Sequence, residues 1–431
     1  MEKLSPKLYA QAVKASDLLN DAAASKNVLK SVEWSPRFKN DFLLHGKMPK
    51  PQYSKMDISD SREKIREARA LCEADHVVFQ WLNRLCDVME NTAGLIQTRG
   101  TPEFFQFSTA LFGQPTRLML DKQTRVLDLA RHLDSALDDL NFSNLVIEGY
   151  DESLNAQAFS KALRRRLKKH FGADAPKVAI SKSVSAKAAA SSSRIRVRAD
   201  ASFTERDVDQ LLHHEALVHV ATGKNGQLQE DFKILGRSHS GTTEVQEGLA
   251  VFAEIVTGSM DPKRFARLSG RVLAIEMAIQ GADFKEVFDF FVQRNDDPSQ
   301  SFENTRRVFR GGVISGGAPF TKDMVYLNGL LRVHNFMRSV VKLNRADLIR
   351  VLFCGKMDIE DVPALAHLVS YDRLEPPKFM PPWVKDLRFL VSYMAYSSFL
   401  NQVKMPGFQA YYAQELDQVP VIWSFADGES G

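Results

Sequence analysis

The chain has 431 residues, of which 44% are hydrophobic and 26% charged, and this is typical of a soluble globular protein with a buried core. Its 57 basic and 53 acidic side chains nearly balance, which argues against a nucleic-acid-binding protein. The three cysteines, Cys72, Cys86 and Cys354, lie far apart and form no C-x-x-C pair. They argue against a disulfide framework or a thiolate zinc site, and they fit a reducing compartment.

The length suits one large domain or about two to three smaller ones. The N-terminal residues have no apolar core of the signal-peptide kind. No run of about 18 or more apolar residues occurs, so no transmembrane helix is predicted. We therefore expect a cytoplasmic protein that binds neither a membrane nor nucleic acid.

Apolar residues recur at helical spacing through the first part of the chain. The pattern predicts helices over residues 5–25, 60–98, 102–112, 122–139 and 151–171. The last of these carries a short basic run, residues 164–169, which we interpret as a solvated helix face. The sequence thus predicts a helical N-terminal region over residues 1–150 and a second region over residues 151–431.

The pattern changes to that of strands after Gly172. Residues 177–181 (KVAIS) and 194–200 (RIRVRAD) are typical of strands, and the Ser/Ala/Lys-rich residues between them, 182–193, are typical of a mobile hairpin loop. We therefore predict a small β element over residues 175–200. From residue 204 onward nearly every segment has helical periodicity, so the expected fold class is a mostly α-helical α+β fold.

The segment LLHHEALVHVATG, residues 211–223, carries the most chemical information. It belongs to a predicted helix over residues 204–222, in which Thr204 can cap the start with Asp207 three residues later, and Gly223 can close the end. Apolar residues cover almost every side of this helix, which predicts that it is buried. Its histidines and Glu215 therefore need buried partners, and a metal ion would satisfy several of them together.

The spacing of these residues departs from the H-E-x-x-H pattern of zinc peptidases. His214 and Glu215 are followed by His219, which gives H-E-x-x-x-H, with Val218 at the usual ligand position. In a regular α-helix, five residues advance by about 140° beyond one turn, so the two histidines would point apart. A π-type widening with i→i+5 bonding would return them to one face, and we predict one between His214 and His219.

A third protein ligand is expected on another element, because catalytic zinc sites use three protein ligands and leave one position open. A second helix is predicted over residues 243–257, with Thr243 as its cap and Glu247 on its apolar, inward face. Glu247 is the preferred ligand. The alternatives are Glu244, Glu254 and His239.

Other interpretations of the histidines remain open at this point. His213 is expected to make a structural hydrogen bond rather than to bind the metal. His214 and His219 can also be ordinary hydrogen-bonded core histidines, since an H-E pair in a helix arises by chance as well.

The motifs H-E-A-L-V-H (214–219), Q-E-G-L-A (246–250) and GGAPFTKDMVYLNGLL (316–331) resemble those of the flavohemoglobin expression-modulating QEGLA-motif proteins. That family is similar to the microtubule-associated tyrosine carboxypeptidases, whose eukaryotic members remove a C-terminal tyrosine from tubulin. The resemblance implies a zinc metallopeptidase with a gluzincin-like catalytic domain and one zinc ion per chain. It assigns His214, His219 and Glu247 to the zinc ion and Glu215 to catalysis, as the residue patterns do.

Further candidates lie in the third motif and just before it. Tyr326 can stabilise the oxyanion of a peptidase intermediate, while Arg310 and Lys322 can bind the terminal carboxylate of a substrate. Arg332 and His334 are weaker candidates. The strand at 194–199 directly precedes the zinc helix, and we expect its edge to pair with a peptide substrate.

The preferred function is a zinc carboxypeptidase in which Glu215 acts as general base on a water molecule. Its partner is the C-terminus of a peptide or protein. A zinc endopeptidase or aminopeptidase is the alternative within the same chemistry. A zinc-stabilised regulatory protein without turnover is the alternative outside it, although such a site has no need of Glu215. The sequence leaves the oligomeric state and the substrate open.

Overall fold

The structure is a computed structural model that describes residues 3–24, 27–138, 153–182, 184, 186–294, 297–400 and 405–416. The predicted boundary between the two regions, at residues 150 and 151, lies outside the described residues. The mostly helical α+β class is confirmed. No helix in the described part of the chain combines the length and the apolar character needed to cross a bilayer.

Eight helices precede the sheet within the described residues. They are α1 (Pro6–Ala24), α2 (Val28–Ser31), α3 (Arg37–His45), α4 (Ser59–Ala70), α5 (Val77–Gln97), α6 (Phe104–Phe112), α7 (Val126–Asp138) and α8 (Ala156–Phe171).

The single helix predicted over residues 60–98 is wrong, because the chain forms the separate helices α4 and α5 there. The His76 side chain accepts a hydrogen bond from the backbone N–H of Val78 and so caps the start of α5. Asn83 donates to the carbonyl of Cys72 at 2.8 Å and fastens the connection to α5. The apolar stripe continues across the break because α4 and α5 pack against each other and share one core.

The β element has three strands, β1 (Lys177–Ser181), β2 (Ala188–Ser191) and β3 (Arg194–Arg198), in the spatial order β1-β3-β2. β1 and β3 are the two predicted strands, but they pair in parallel, with Val178 opposite Ile195. The predicted mobile hairpin loop between them is therefore wrong. That segment contains β2, which pairs antiparallel with β3.

The remaining helices enclose the site and extend to the end of the described chain. They are α9 (Glu205–Leu211), a π-helical segment (Leu212–Val220), α10 (Ala221–Gln227), α11 (Thr243–Val256), α12 (Pro262–Ile279), α13 (Phe284–Gln293), α14 (Pro298–Phe309), α15 (Met324–Lys342), α16 (Leu348–Val351), α17 (Val362–Ser370), α18 (Pro382–Lys385), α19 (Arg388–Leu400) and α20 (Met405–Leu416).

The run formed by α9, the π segment and α10 lies between two apolar clusters. Leu212, Leu217 and Val220 pack with the sheet and α8, whereas Val218 belongs to the cluster that α5 and α11 share. The helix is thus buried, as the apolar residues on almost every side of it predicted. Its position inside the protein holds the histidine-bearing turns rigidly between the sheet and α11.

Helices α11 and α15 pack side by side at very close range. Gly248 of α11 lies against Gly329 of α15, and a Cβ atom added to either glycine would overlap the backbone of the other helix. The close approach brings the start of α15, with Lys322 just before it, next to Glu247 of α11.

Candidate metal and catalytic site

The helix that carries the histidines begins as the sequence predicts. Thr204 Oγ1 accepts a hydrogen bond from the backbone N–H of Asp207 at 3.2 Å, and the carboxylate of Asp207 accepts one from the N–H of Thr204 at 2.9 Å. The predicted end at Gly223 is wrong, because the helix continues to Gln227. Space at Gly223 is tight, since an added Cβ would lie 3.1 Å from Cβ of Ser192 and 3.3 Å from Cε of Lys356.

The predicted widening of this helix is confirmed, because residues Leu212–Val220 form a π-helix. The i→i+5 bonding turns His214 and His219 to the same side, and their ring centroids lie 5.0 Å apart. The H-E-x-x-x-H spacing therefore gives the same convergence of side chains that four-residue spacing gives in an α-helix.

Glu247 of α11 completes the group opposite the two rings. Its Oε2 atom lies 3.4 Å from Nε2 of His214 and 3.7 Å from Nε2 of His219. One ligand atom from each of the three residues lies within 4.8 Å of the others, so the group can hold a metal ion. Two imidazole nitrogens and one carboxylate oxygen fit the set of three protein ligands that is typical of catalytic zinc.

Each histidine is oriented by a hydrogen bond from the nitrogen that faces away from Glu247. His214 donates from Nδ1 to Oε1 of Glu254 at 2.6 Å, and Arg264 forms an ion pair with that fully buried carboxylate. His219 donates from Nδ1 to Oε1 of Gln246 at 3.3 Å. Thr222 Oγ1 lies 2.9 Å from the same Gln246 oxygen. These bonds leave both Nε2 atoms facing the metal position, as ligand histidines require.

The charges of the site are strongly coupled. Burial would raise the pKa of Glu247, but the charge of Lys322 and the hydrogen bonds of His214 and His219 hold it well below the ordinary value. Burial likewise opposes the charge on Glu254, yet Arg264 and His214 lower its pKa to about 2. Burial lowers the pKa of His214, but its bonds to Glu247 and Glu254 raise it to about 10. These interactions keep Glu247 and Glu254 ionised, and an ionised carboxylate is the form that binds a cation.

Glu215 lies beside the metal group but is not part of it. Its side chain is buried, and it makes no hydrogen bond or ion pair with the described residues. A carboxylate that has no partner among the described residues, next in sequence to a candidate metal ligand, is available to act on a water molecule in the site.

The alternative third ligands have other partners in the structure. Glu244 pairs with Arg332 at 2.6 Å and accepts a hydrogen bond from Asn328. Glu254 lies behind His214, and His239 is not a member of the group that can hold a metal. Thr243, the predicted cap of α11, is its first helical residue, and Thr242 occupies the cap position.

Lys322 lies next to the metal group, and Tyr326 lies next to Lys322. Nζ of Lys322 is 3.5 Å from Oε1 of Glu247 and 5.1 Å from the centroid of the Tyr326 ring. The Tyr326 oxygen accepts a hydrogen bond from Arg307 at 3.2 Å, so its own hydrogen can be donated elsewhere. Lys322 thus contacts a candidate metal ligand, and this contact was not foreseen from the sequence.

The Arg310 guanidinium lies 5.8 Å from the centroid of the Phe320 ring, and no contact joins Arg310 to the metal group among the described residues. Its Nε atom is buried and has no hydrogen-bond partner within the described part of the chain. Burial and the neighbouring Arg307 lower its pKa to about 10.

Besides Arg264, three basic residues near the site were missed in the sequence. Arg307 pairs with Asp323 at 2.8 Å, and Arg271 lies over the Tyr326 ring, 4.7 Å from its centroid. Lys356, in the loop after α16, is buried against α10, and its Nζ donates to Oγ of Ser238 at 2.7 Å. Nothing in the local pattern around these residues distinguishes them from surface residues, because their partners are distant in sequence.

The edge-strand prediction for residues 194–199 is wrong. β3 is the central strand, with β1 on one side and β2 on the other, so both of its edges are occupied. Of the two outer strands, β2 is the one that packs extensively against the π segment.

The site defined by these residues is one that can hold a single metal ion between a widened helix and the helix that follows. The family model described as microtubule-associated tyrosine carboxypeptidase matches residues 37–402, and the chain belongs to this family. No curated protein matches the chain. The resemblance to the flavohemoglobin expression-modulating proteins stays a prediction.

Proposed function

We propose that the protein is a zinc-dependent carboxypeptidase that removes residues from the C-terminus of a peptide or protein. The observation that carries the proposal is the convergence of His214, His219 and Glu247, with Glu215 next in sequence to His214 and unpaired among the described residues. The carboxypeptidase named in the description of the family supports the same reaction.

His214, His219 and Glu247 are the residues that would hold the zinc ion. When bound there, zinc would lower the pKa of a water molecule and polarise the carbonyl of the scissile bond. Glu254 and Gln246 fix the two imidazole rings from behind. Lys322 holds the second oxygen of Glu247 and so limits that carboxylate to one orientation.

Glu215 is the proposed general base. It accepts a proton from the attacking water and delivers it to the nitrogen of the leaving residue. A carboxylate that ligated the metal or formed an ion pair would be a weaker base, and Glu215 does neither within the described residues. Tyr326 is the proposed donor to the oxyanion, because its hydroxyl hydrogen is not needed for the bond from Arg307.

The proposed substrate is an extended chain end. The family description names tyrosine as the residue removed, and a C-terminal tyrosine is the first substrate to test. β2 lies against the π segment and is an outer strand, so we propose its open edge for pairing with the peptide backbone. Arg310 remains a proposed substrate-binding residue, and a cytoplasmic location remains an expectation.

A zinc endopeptidase or aminopeptidase is the alternative with the same chemistry, and a zinc-stabilised regulator is the alternative without turnover. The test is elemental analysis of the purified chain beside mass spectrometry of a peptide pool with varied C-termini. We expect about one zinc ion per chain. We also expect stepwise loss of C-terminal residues from some peptides.

Two variants separate the outcomes. His219→Ala should lose both zinc and trimming, whereas Glu215→Gln should keep zinc and lose trimming. Internal or N-terminal cleavage would replace the carboxypeptidase by one of its peptidase alternatives. A wild-type chain without zinc would overturn the proposal, and a zinc-bound chain that cleaves no peptide would favour the regulator.

A further inference from the structure

We propose that Lys356 binds the terminal carboxylate of the substrate and so makes the enzyme specific for chain ends. The inference rests on the proposed peptidase function and assigns a role to a residue that none of the three motifs contains. It is carried by the position of Lys356 beside the histidine-bearing helix and by the lack of an acidic partner for its charge in the part of the chain that the structure describes.

Lys356 is fixed in place by its own backbone. Its N–H donates to the carbonyl of Leu235 at 2.7 Å, and the side chain runs along α10 at Gly223. The Cε atom would lie 3.3 Å from a Cβ atom at Gly223, and Gly223 is about one helical turn beyond His219. The ammonium group is therefore held on the flank of the helix that carries the metal group.

The charge of Lys356 differs from those of three other cations near the site. Lys322 pairs with Glu247, Arg264 with Glu254 and Arg307 with Asp323. Among the described residues Lys356 forms no ion pair, although its side chain is only 7% exposed. A buried ammonium group without a carboxylate is costly, so a ligand that brings one is favoured.

The ammonium group of Lys356 interacts electrostatically with two residues of the proposed active site. Burial lowers the pKa of Lys356 to about 8, and the opposing effects come from the charges of Glu247 and Glu215. The charge of Lys356 is thus attracted to Glu247, the proposed zinc ligand, and to Glu215, the proposed general base. A substrate carboxylate bound to Lys356 would lie in the same field.

The groups around Nζ fit a carboxylate. Ser238 is exposed, and its oxygen accepts a hydrogen bond from Lys356, so its own hydrogen can be donated to a ligand. Ser192 lies against the same face of α10, and its oxygen accepts from Gln227 at 2.8 Å, which also frees its hydrogen. An ammonium group and two hydroxyl donors are the donors that a carboxylate needs.

The experiment measures binding rather than turnover. The zinc-loaded Glu215→Gln chain is titrated with a short fluorescent peptide that ends in tyrosine, either with a free carboxylate or with a C-terminal amide. We expect the free carboxylate to bind about tenfold to a hundredfold more tightly than the amide. Adding Lys356→Met should remove this preference and leave the weak affinity for the amide unchanged.

Control variants distinguish charge from packing. Lys356→Arg keeps the charge and should keep part of the preference. Lys224→Met removes a neighbouring charge on α10 that lies over the Phe379 ring, and it should keep all of the preference. If Lys356→Met does not fold, Ser238→Ala tests binding of the same substrate carboxylate. We expect it to reduce the preference for the free carboxylate by less than Lys356→Met would.

The outcomes separate this inference from the peptidase proposal. Two outcomes would contradict the assignment of Lys356 and leave the peptidase proposal standing. In the first, Lys356→Met keeps the full preference for the free carboxylate. In the second, the Glu215→Gln chain binds the free-carboxylate and amide peptides equally while the wild type trims peptides. If the zinc-loaded Glu215→Gln chain binds neither peptide, both proposals fail. Loss of the preference in Lys356→Met alone, with Lys224→Met unchanged, supports the assignment.

Discussion

The carboxylate of Glu254 lies 2.6 Å from Nδ1 of His214, on the opposite side of the ring from Glu247. Arg264 forms an ion pair with the same carboxylate, which is fully buried. The ring of His214 is thus held between two carboxylates, one proposed to share the metal and one that fixes the tautomer. This arrangement extends the site one layer beyond the three residues that can touch an ion.

Replacing Glu254 by Gln should therefore weaken zinc binding without removing a ligand. We expect about a tenfold to hundredfold lower zinc affinity, because the amide no longer accepts a strong hydrogen bond from a fixed His214 ring. Competition with a chelator measures this change. Glu63→Gln, on an exposed face of α4, is the matched control and should bind zinc as the wild type does.

Replacing Tyr326 by Phe should lower kcat more than it changes KM. Loss of one donor to an oxyanion lowers kcat by about a hundredfold to a thousandfold. Steady-state kinetics on a peptide that the wild type trims gives both constants. Equal kcat values for Tyr326→Phe and the wild type would assign Tyr326 to packing against Arg271 instead.

The contact between α11 and α15 predicts a strong effect of one methyl group. Gly248→Ala places a Cβ atom inside the backbone of Gly329, and we expect a loss of about 1–3 kcal/mol in the free energy of unfolding. Gly270→Ala is the matched control, since its Cβ would meet only Nε of Arg294 at 3.6 Å. Because Gly270 lies inside α12, alanine there should be neutral or stabilising by up to about 1 kcal/mol.

Thermal or urea unfolding of the two glycine variants compares them directly. Equal stabilities would mean that the two helices can separate without cost. That result would contradict the close packing that places Lys322 next to Glu247.

The raised pKa of Asp361 predicts that the free energy of unfolding depends on pH. Burial and the charge of Asp358 raise its pKa from 3.8 to about 7, despite a hydrogen bond from Arg84. The folded chain therefore keeps a proton that the unfolded chain loses. Stability from this group is complete below pH 3.8 and declines as the pH rises toward about 7.

Asp361→Asn should flatten this part of the stability profile. Urea unfolding at pH values below, within and above the window measures the slope. Asp200→Asn, at a side chain that is 86% exposed, should keep the wild-type slope. If Asp361→Asn keeps the wild-type slope of stability against pH, another group is responsible for the pH dependence.

Local pattern was enough to predict several features. The capping box at Thr204, the burial of the histidine-bearing helix and its π widening all follow from residues that lie close together in the chain. The widening in particular follows from one requirement, because His214 and His219 can share a ligand only if five residues close one turn. Glu247 was chosen on the apolar face of its own helix for a similar reason.

Features that depend on distant partners were not predictable in this way. β2 consists of Ala188, Ala189, Ala190 and Ser191, which lack the β-branched and aromatic side chains typical of strands, and only pairing with β3 makes it a strand. Gly223 looks like a helix end, but it makes room for Ser192 and Lys356.

The partners of the charged residues were also hidden in the sequence. The pairing of Lys322 with Glu247 depends on how closely α15 approaches α11, and the bond between His214 and Glu254 joins residues 40 positions apart. A single sequence gives no measure of either distance.

The π segment also acts as a one-residue insertion, and its effect on helix geometry is confined to the segment itself. The extra residue is accommodated between Leu212 and Val220, and the segments on either side, α9 and α10, are regular α-helices. A deletion among residues 216–218 should therefore restore four-residue spacing between the histidines and leave Thr222 and Asn225 on their present partners. Chains with either spacing can thus share one active-site geometry, and a motif search that fixes the number of residues between the histidines will separate them.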